Sequence, residues 1–181
     1  MAEAFAAAGG AAPSNPLRVN RALGLGVAIG IFVLDQAVKW IVTYILQLPE
    51  RVIIRWLPFF QLNWVPNHGV SMGFLTANGA VQRWLLVGLT AAISIFVFAW
   101  LWREKRRDDV VALGLVLGGA LGNILDRVRL GYVVDYADLH FGEWRPFLVF
   151  NLGDAAITIG VLLLLVRALL TRERKAPREK V

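Results

Sequence analysis

Cysteine is absent from this chain, and histidine is scarce, since His68 and His140 are the only two. Without cysteine the chain can form neither a disulfide nor a thiolate metal site. The two histidines stand too far apart for the usual spacing of zinc ligands, so a zinc site is not expected. We therefore expect neither a metal nor a cofactor.

Charged residues are also few. They make up 18% of the 181 residues, while hydrophobic residues make up 57%. A soluble domain has about 25% charged and about 45–50% apolar residues, so this composition indicates a membrane protein. The net charge of +6 could suggest a nucleic-acid partner. The positive charge clusters at the ends of apolar segments, however, and a membrane topology explains this better. We expect no nucleic-acid partner.

Long apolar runs predict four transmembrane helices, at residues 23–46, 83–102, 110–125 and 155–170. The last two runs are 16 residues each, or ~24 Å as helices, against a hydrocarbon core of ~30 Å. Flanking residues must therefore join these helices, which brings Asn123, Asp126 and Asp154 to the membrane boundary.

The ends of the chain are predicted to be disordered tails. Residues 1–20 are rich in alanine, glycine and proline at their start, and residues 172–181 are strongly basic. Between them, residues 21–171 form the predicted four-helix domain. Both tails are expected in the cytoplasm.

The distribution of lysine and arginine predicts this orientation. With four spans both termini lie on one side of the membrane, and twelve basic residues share that side: Arg18, Arg21, Arg103, Lys105, Arg106, Arg107, Arg167, Arg172, Arg174, Lys175, Arg178 and Lys180. Six lie on the other side: Arg51, Arg55, Arg83, Arg127, Arg129 and Arg145. The richer side is normally cytoplasmic. The loops at 47–82 and 127–153 then face outward.

The first loop is predicted to contain short strands, at about residues 47–66. Pro49, Pro58 and Pro66 interrupt the segment, and β-branched and aromatic residues lie between them. Its aromatic residues suit a platform that rests on the membrane: Trp56, Phe59, Phe60 and Trp64. A small soluble sheet with one buried face is the alternative, and the membrane-resting version is favoured.

Two features within the spans indicate close helix packing. Gly114, Gly118 and Gly122 form a doubled GxxxG pattern, which lets helices approach closely. Asp35 and Lys39 stand four residues apart and share a helix face. They form either an ion pair that braces the bundle or a polar face that lines a substrate site.

Four aspartates lie between Gly122 and the start of the fourth span. Carboxylates between apolar spans are costly to place, so a functional role is the default interpretation. Asp126 directly precedes Arg127, and a structural pair is the favoured interpretation there. Asp138 lies in a polar stretch and is either plain surface or a weak candidate.

Asp135 and Asp154 are the preferred candidates for chemistry. Asp135 lies among apolar and aromatic residues that would hold its carboxyl group away from water, whereas a helix start at Asp154 favours the charged form. Environments that differ in this way are typical of an acid and base pair. Two carboxylates that share a proton can activate water against a peptide carbonyl. Asn151 precedes Asp154 by three residues, and helix capping is the alternative role for both.

Five motifs occur in an order that resembles signal peptidase II: DQAVK (35–39), NHGVSMGF (67–74), GNILDR (122–127), VVDY (133–136) and FNLGD (150–154). The resemblance spans about residues 22–170. It implies an aspartic endopeptidase of the bacterial inner membrane. Its substrate would be a prolipoprotein that carries a diacylglyceryl-cysteine, cut ahead of that cysteine, with membrane lipids as further partners. The implied fold is a membrane all-α protein with a small β portion, namely four transmembrane helices and a periplasmic β-rich cradle at 47–66.

The resemblance also assigns site residues. Its catalytic aspartates fall on Asp135 and Asp154. Its other polar motif positions are substrate-binding or supporting residues: Asp35, Lys39, Asn67, Asn123, Asp126, Arg127 and Asn151. Gly153 departs from the family, which usually has alanine there, and slightly poorer preorganisation is expected. A transporter with an intramembrane proton relay and a non-catalytic assembly protein are the rival classes.

Overall fold

The computed structural model describes residues 16–69 and 79–173. Its helices are α1 (Pro16–Trp40), α2 (Leu48–Arg51), α3 (Gly79–Arg103), α4 (Arg107–Leu130) and α5 (Leu152–Glu173), and a single π-helical turn at Ile41–Ile45 extends α1. Its strands are β1 (Ile53–Leu57), β2 (Phe60–Asn67) and β3 (Val133–Leu139). The motif at 67–74 lies mostly outside the described residues.

Four helices are long and apolar enough to cross a membrane, as predicted: Leu17–Ile45, Gly79–Arg103, Arg107–Leu130 and Leu152–Leu170. The third and fourth are longer than their apolar runs, since α4 continues to Leu130 and α5 begins at Leu152. Flanking polar residues have therefore joined the helices, as their short apolar runs required.

The predicted tails are too long at both ends. Because α1 begins at Pro16, residues 16–20 are helical rather than part of a disordered tail. At the other end α5 continues to Glu173, two residues into the predicted basic tail.

Helix α4 is the central helix of the bundle, and half of its span is buried. Its small residues explain this position. A Cβ atom on Gly114 would stand 2.7 Å from the carbonyl oxygen of Gly24, and one on Gly118 would stand 2.5 Å from that of Ala28. Glycine therefore lets the α1 backbone pack directly on α4, as the GxxxG pattern predicted.

The three strands form one antiparallel sheet in the order β1-β2-β3, with an irregularity in the β2–β3 pairing between Leu62 and Val65. Strands at 47–66 were predicted, but β3 from the second loop was not. The sheet joins the end of α1 through a cluster of buried side chains: Val42, Leu48, Leu62, Val134, Tyr136 and Ala137.

The aromatic residues of the sheet are divided between its surface and its core. Trp56 is 63% exposed and Phe59 is 45% exposed. Phe60 and Trp64, by contrast, pack against the buried cluster that joins the sheet to α1. Only part of the predicted aromatic platform is therefore available to a membrane surface.

Gly131 turns the chain from α4 into β3. Its φ of 88° lies in the left-handed region, and its N–H donates to the carbonyl oxygen of Arg127 (3.2 Å). Glycine adopts this conformation without the strain that a Cβ would add. The turn brings β3 back over the C-terminal end of α4, which places Asp135 beside the helices.

Candidate active site

Asp135 lies on β3 and is only 1% exposed. Asn151 donates its side-chain N–H to Oδ1 (2.6 Å), and Asn67 donates to Oδ2 (2.8 Å). Burial raises the pKa of Asp135 to about 6, the hydrogen bond from Asn67 opposes that rise, and the charge of Asp154 adds to it. This carboxyl group can therefore exchange its proton close to neutral pH.

Asp154 lies in the first turn of α5. Asn123 donates to its Oδ1 (2.8 Å), and the backbone N–H of Asn151 donates to its Oδ2 (3.3 Å). In return the N–H of Asp154 donates to Oδ1 of Asn151 (2.9 Å). This reciprocal arrangement is a capping box, so the capping interpretation is confirmed.

Asn151 joins the two carboxylates directly. Its backbone N–H and side-chain oxygen bind Asp154, while its side-chain nitrogen binds Asp135. The side chain is fully buried. Capping and pairing are therefore not alternatives here, because one asparagine does both.

A buried ion cluster lies behind the pair. The Lys39 ammonium is 2.8 Å from Oδ2 of Asp35 and 2.8 Å from Oδ2 of Asp126, and it also donates to Oδ1 of Asn123 (3.0 Å). Gln36 donates to both aspartates. All three ionised side chains are at most 4% exposed. Asp35 and Lys39 thus brace the bundle, and their cluster also reaches the site.

The predicted pairing of Asp126 with Arg127 is wrong. Asp126 binds Lys39 and Gln36, and its Oδ2 also accepts the N–H of Val134 (3.2 Å). Arg127 instead makes a long contact with the carbonyl oxygen of Asn123 (3.5 Å). Neighbouring residues on a helix point in different directions, so the sequence-adjacent pair cannot close.

Arg127 is the cation at the edge of the site. Its guanidinium interacts electrostatically with Asp154, Asp135 and Asp126, in decreasing order. Its NH2 group also lies beside Gly69, where a Cβ would stand 3.4 Å away. The charge of Arg127 thus faces both members of the pair.

Asp138 is neither surface nor part of the pair. It is fully buried on β3, accepts a hydrogen bond from Gln61 (2.8 Å), and has Arg145 at 3.6 Å. Its partners are not shared with Asp135, three residues away on the same strand. The polar loop expected there is a strand that the following segment covers.

Gly153 occupies a confined space between α4 and α5. Its N–H donates to Oδ1 of Asp35 (2.9 Å), and a Cβ at this position would stand 3.0 Å from the carbonyl oxygen of Gly119. The glycine thus permits a close approach of the two helices. Its hydrogen bond also ties the start of α5 to the ion cluster.

The structure adds two groups to the predicted set. Gln36 bridges Asp35 and Asp126, and the Tyr136 hydroxyl oxygen accepts the N–H of Leu152 (3.2 Å). Burial raises the pKa of Tyr136 well above its usual range, so its hydroxyl stays protonated. The positions of Gln36 within DQAVK and of Tyr136 within VVDY were usable signals for both residues.

Four helices long and apolar enough to cross a membrane, with two amide-held carboxylates at one end, form the arrangement expected of a membrane-embedded aspartic peptidase. Comparison with known proteins agrees. The family model of signal peptidase (SPase) II matches residues 27–170. The chain belongs to the signal peptidase II family.

Similar proteins cover nearly the whole chain. The lipoprotein signal peptidase of Rhizorhabdus wittichii is 59% identical over 90% of this chain and 95% of its own length. That of Sphingopyxis alaskensis is 52% identical over 83% of this chain and 87% of its own length. A bacterial membrane enzyme solved by the in meso method at 2.3 Å resolution has a TM-score of 0.72 and 26% identity, over 88% of this chain and 95% of the other.

Proposed function

We propose that Asp135 and Asp154 are the catalytic pair with which this chain cleaves diacylglyceryl-modified prolipoproteins, ahead of the lipidated cysteine. Removal of signal peptides from prolipoproteins is the reaction of the family, and this chain is an aspartic endopeptidase of that kind. The observation that carries the residue assignment is the Asn151 bridge, which binds both carboxylates at once.

The two carboxylates divide acid and base work. Asp154, at a helix start, accepts a proton from the attacking water, whose oxygen bonds to the scissile carbonyl carbon. Asp135, whose pKa of about 6 keeps its proton available, protonates the carbonyl oxygen. When the C–N bond breaks, a proton passes from the pair to the leaving amine. The reaction consumes one water and needs no side-chain nucleophile.

The remaining polar residues support this pair. Asn67, Asn123 and Asn151 donate to carboxylate oxygens and hold their orientation. The ion cluster of Asp35, Asp126 and Lys39 holds Asn123 in place. Arg127 faces the pair with a positive charge. A charge so placed stabilises the negative charge that builds up on the scissile carbonyl oxygen until Asp135 protonates it.

The location of the pair suits a lipid-anchored substrate. Asp135 belongs to the outer sheet and Asp154 to the first turn of a membrane span. A cysteine whose acyl chains lie in the bilayer holds its peptide bond at this depth. The twelve-to-six distribution of basic residues supports an inner-membrane protein with both termini in the cytoplasm and the site at the outer face.

The test is cleavage of a diacylglyceryl-modified prolipoprotein by purified variants. Asp135→Asn and Asp154→Asn keep the size of the side chain but remove proton transfer, so each should reduce cleavage by at least ~10²–10⁴-fold. If the pair acts as a unit, the double variant should be little worse than either single one.

Asp138→Asn is the matched control, because Asp138 is an equally buried aspartate on the same strand outside the pair. A well-folded Asp138→Asn protein should still cleave. Substantial cleavage by either Asn variant of the pair would remove the aspartic mechanism. A non-catalytic assembly role predicts instead that neither asparagine substitution has any effect, as long as the variants fold.

A further inference from the structure

Lys39 lies deep in the bundle and touches neither catalytic carboxylate, yet two chains of hydrogen bonds lead from it to Asp154. One runs through Asn123, whose oxygen accepts from Lys39 and whose nitrogen donates to Asp154. The other runs through Asp35, which binds Lys39 and accepts the N–H of Gly153, the residue before Asp154. The first of these routes decides which way the Asn123 amide faces.

An ammonium group has three N–H donors and no acceptor. Each donor of Lys39 has one acceptor within 3.0 Å, on Asp35, Asp126 and Asn123. Since Lys39 can only donate, the amide oxygen of Asn123 must face it. The amide nitrogen must therefore face Asp154, where it can only donate.

A donor fixed on Asp154 favours its charged, proton-accepting form. We infer that Lys39 is a positioning residue for the reaction, because it locks the Asn123 amide in the orientation that keeps Asp154 ready to accept a proton. This inference rests on the proposed function of the aspartate pair. It adds that a cation on α1 fixes the hydrogen-bond donor that a carboxylate on α5 receives.

Removal of the Lys39 ammonium should rotate the Asn123 side-chain amide so that its oxygen and nitrogen exchange places. In Lys39→Met, Asp35 and Asp126 lose their shared donor, and the Asn123 amide nitrogen becomes the nearest replacement. Rotation of the amide toward them turns its oxygen to Asp154, which is compatible only with a protonated carboxyl. The pair would then need a higher pH to reach its active state.

Other charged or titratable groups interact with Asp154 from the packed elements, namely Asp135 and Tyr136 on β3 and Arg127 on α4. Asp35 on α1 accepts the N–H of the neighbouring Gly153. None of them can replace Lys39. Arg127 reaches the carbonyl oxygen of Asn123 rather than its side chain. The ionised carboxylates can only accept, so they cannot take the place of the ammonium at the amide oxygen, and the Tyr136 hydroxyl is engaged with the N–H of Leu152.

The experiment measures cleavage of a diacylglyceryl-modified prolipoprotein against pH, with kcat and KM separated. For Lys39→Met we expect the acidic limb of the kcat profile to move up by about one pH unit, the size of a lost hydrogen bond to a charged group. We also expect kcat to fall about tenfold at neutral pH, with KM changed less than about twofold. In Lys39→Arg the new side chain also can only donate, so its acidic limb should lie closer to the wild-type position than that of Lys39→Met.

Asp126→Asn is the matched control, since it disturbs the same cluster but leaves the bond from Lys39 to Asn123. It should reduce stability without moving the acidic limb upward. If Lys39→Met does not fold, the double variant Lys39→Met/Asp126→Asn, which removes one of the two carboxylates left without their cation, is measured in its place.

An acidic limb that stays at its wild-type pH in folded Lys39 variants overturns this inference, while the aspartate pair stands. Cleavage by Asp154→Asn would instead overturn the proposed function itself. The two failures are thus distinguishable within one set of proteins.

Discussion

Asp126→Asn tests whether the ion cluster holds the bundle together. In the wild type, Asp126 accepts from Lys39 (2.8 Å) and Val134 (3.2 Å) on one oxygen and from Gln36 (3.0 Å) on the other. Asparagine has one oxygen and one nitrogen, so either orientation sets its NH2 group against a donor. The Lys39 charge also loses one of its two carboxylates.

The magnitude follows from burial. Asp126 is 3% exposed and Lys39 is 4% exposed. Asp35 still balances the Lys39 charge in the variant, so the cost is that of a buried donor left without its acceptor, ~1–3 kcal/mol. For a chain of this length such a loss lowers Tm by roughly 2–12 °C. The effect on cleavage should follow from the loss of folded protein.

The assay is thermal unfolding in detergent, with cleavage measured at a temperature where the variant is folded. Asp108→Asn is the control, since Asp108 is an exposed aspartate in the first turn of the same helix and its loss should cost less than about 1 kcal/mol. A variant with wild-type Tm and no cleavage would refute the reasoning and would move Asp126 into the catalytic group.

Two further predictions concern topology and pH. Reporter domains fused after Glu104 should be found in the cytoplasm and those after Phe141 outside, given the basic bias, and a cytoplasmic result at Phe141 would reverse the orientation. Burial raises the pKa of Asp135 from 3.8 to about 6, so the folded state holds this proton more tightly. The stability of the wild type relative to Asp135→Asn should then be greatest below pH 4 and decrease by roughly 3 kcal/mol as pH rises past 6. Unfolding measured across that range in both proteins checks this, and an increase with pH would contradict it.

The helices could be predicted because a membrane span needs a long apolar run, and all four runs became helices. The ends of the third and fourth helices could not be predicted, because their apolar runs stop at Asp126 and Asp154 while the helices include both residues. Helix α4 continues through Asp126 since that carboxylate finds its donors on α1 and β3. The sequence shows the charge but not those partners.

Strand β3 was missed for a related reason. Its sequence VVDYADL contains two aspartates and lacks a clean alternation of polar and apolar residues, because both of its faces are covered. Asp135 and Asp138 are buried among different partners. Neither burial could be read from the local pattern.

Asp135 and Asp154 could be selected as candidates because apolar surroundings and a helix start are both local signals, and the structure joins them through Asn151. The residues that support them could not be predicted in detail, since Lys39 and Asn123 stand 84 positions apart. The pairing of Asp126 with Arg127 failed because adjacency in sequence is not adjacency on a helix surface.

The joint between the sheet and the bundle has a mechanical consequence. Asp135 belongs to the sheet and Asp154 to a helix of the bundle, and Asn151 binds both. Any tilt of the sheet against the helices would therefore change the separation of the two carboxylates, so proton transfer between them depends on how rigidly the sheet is held.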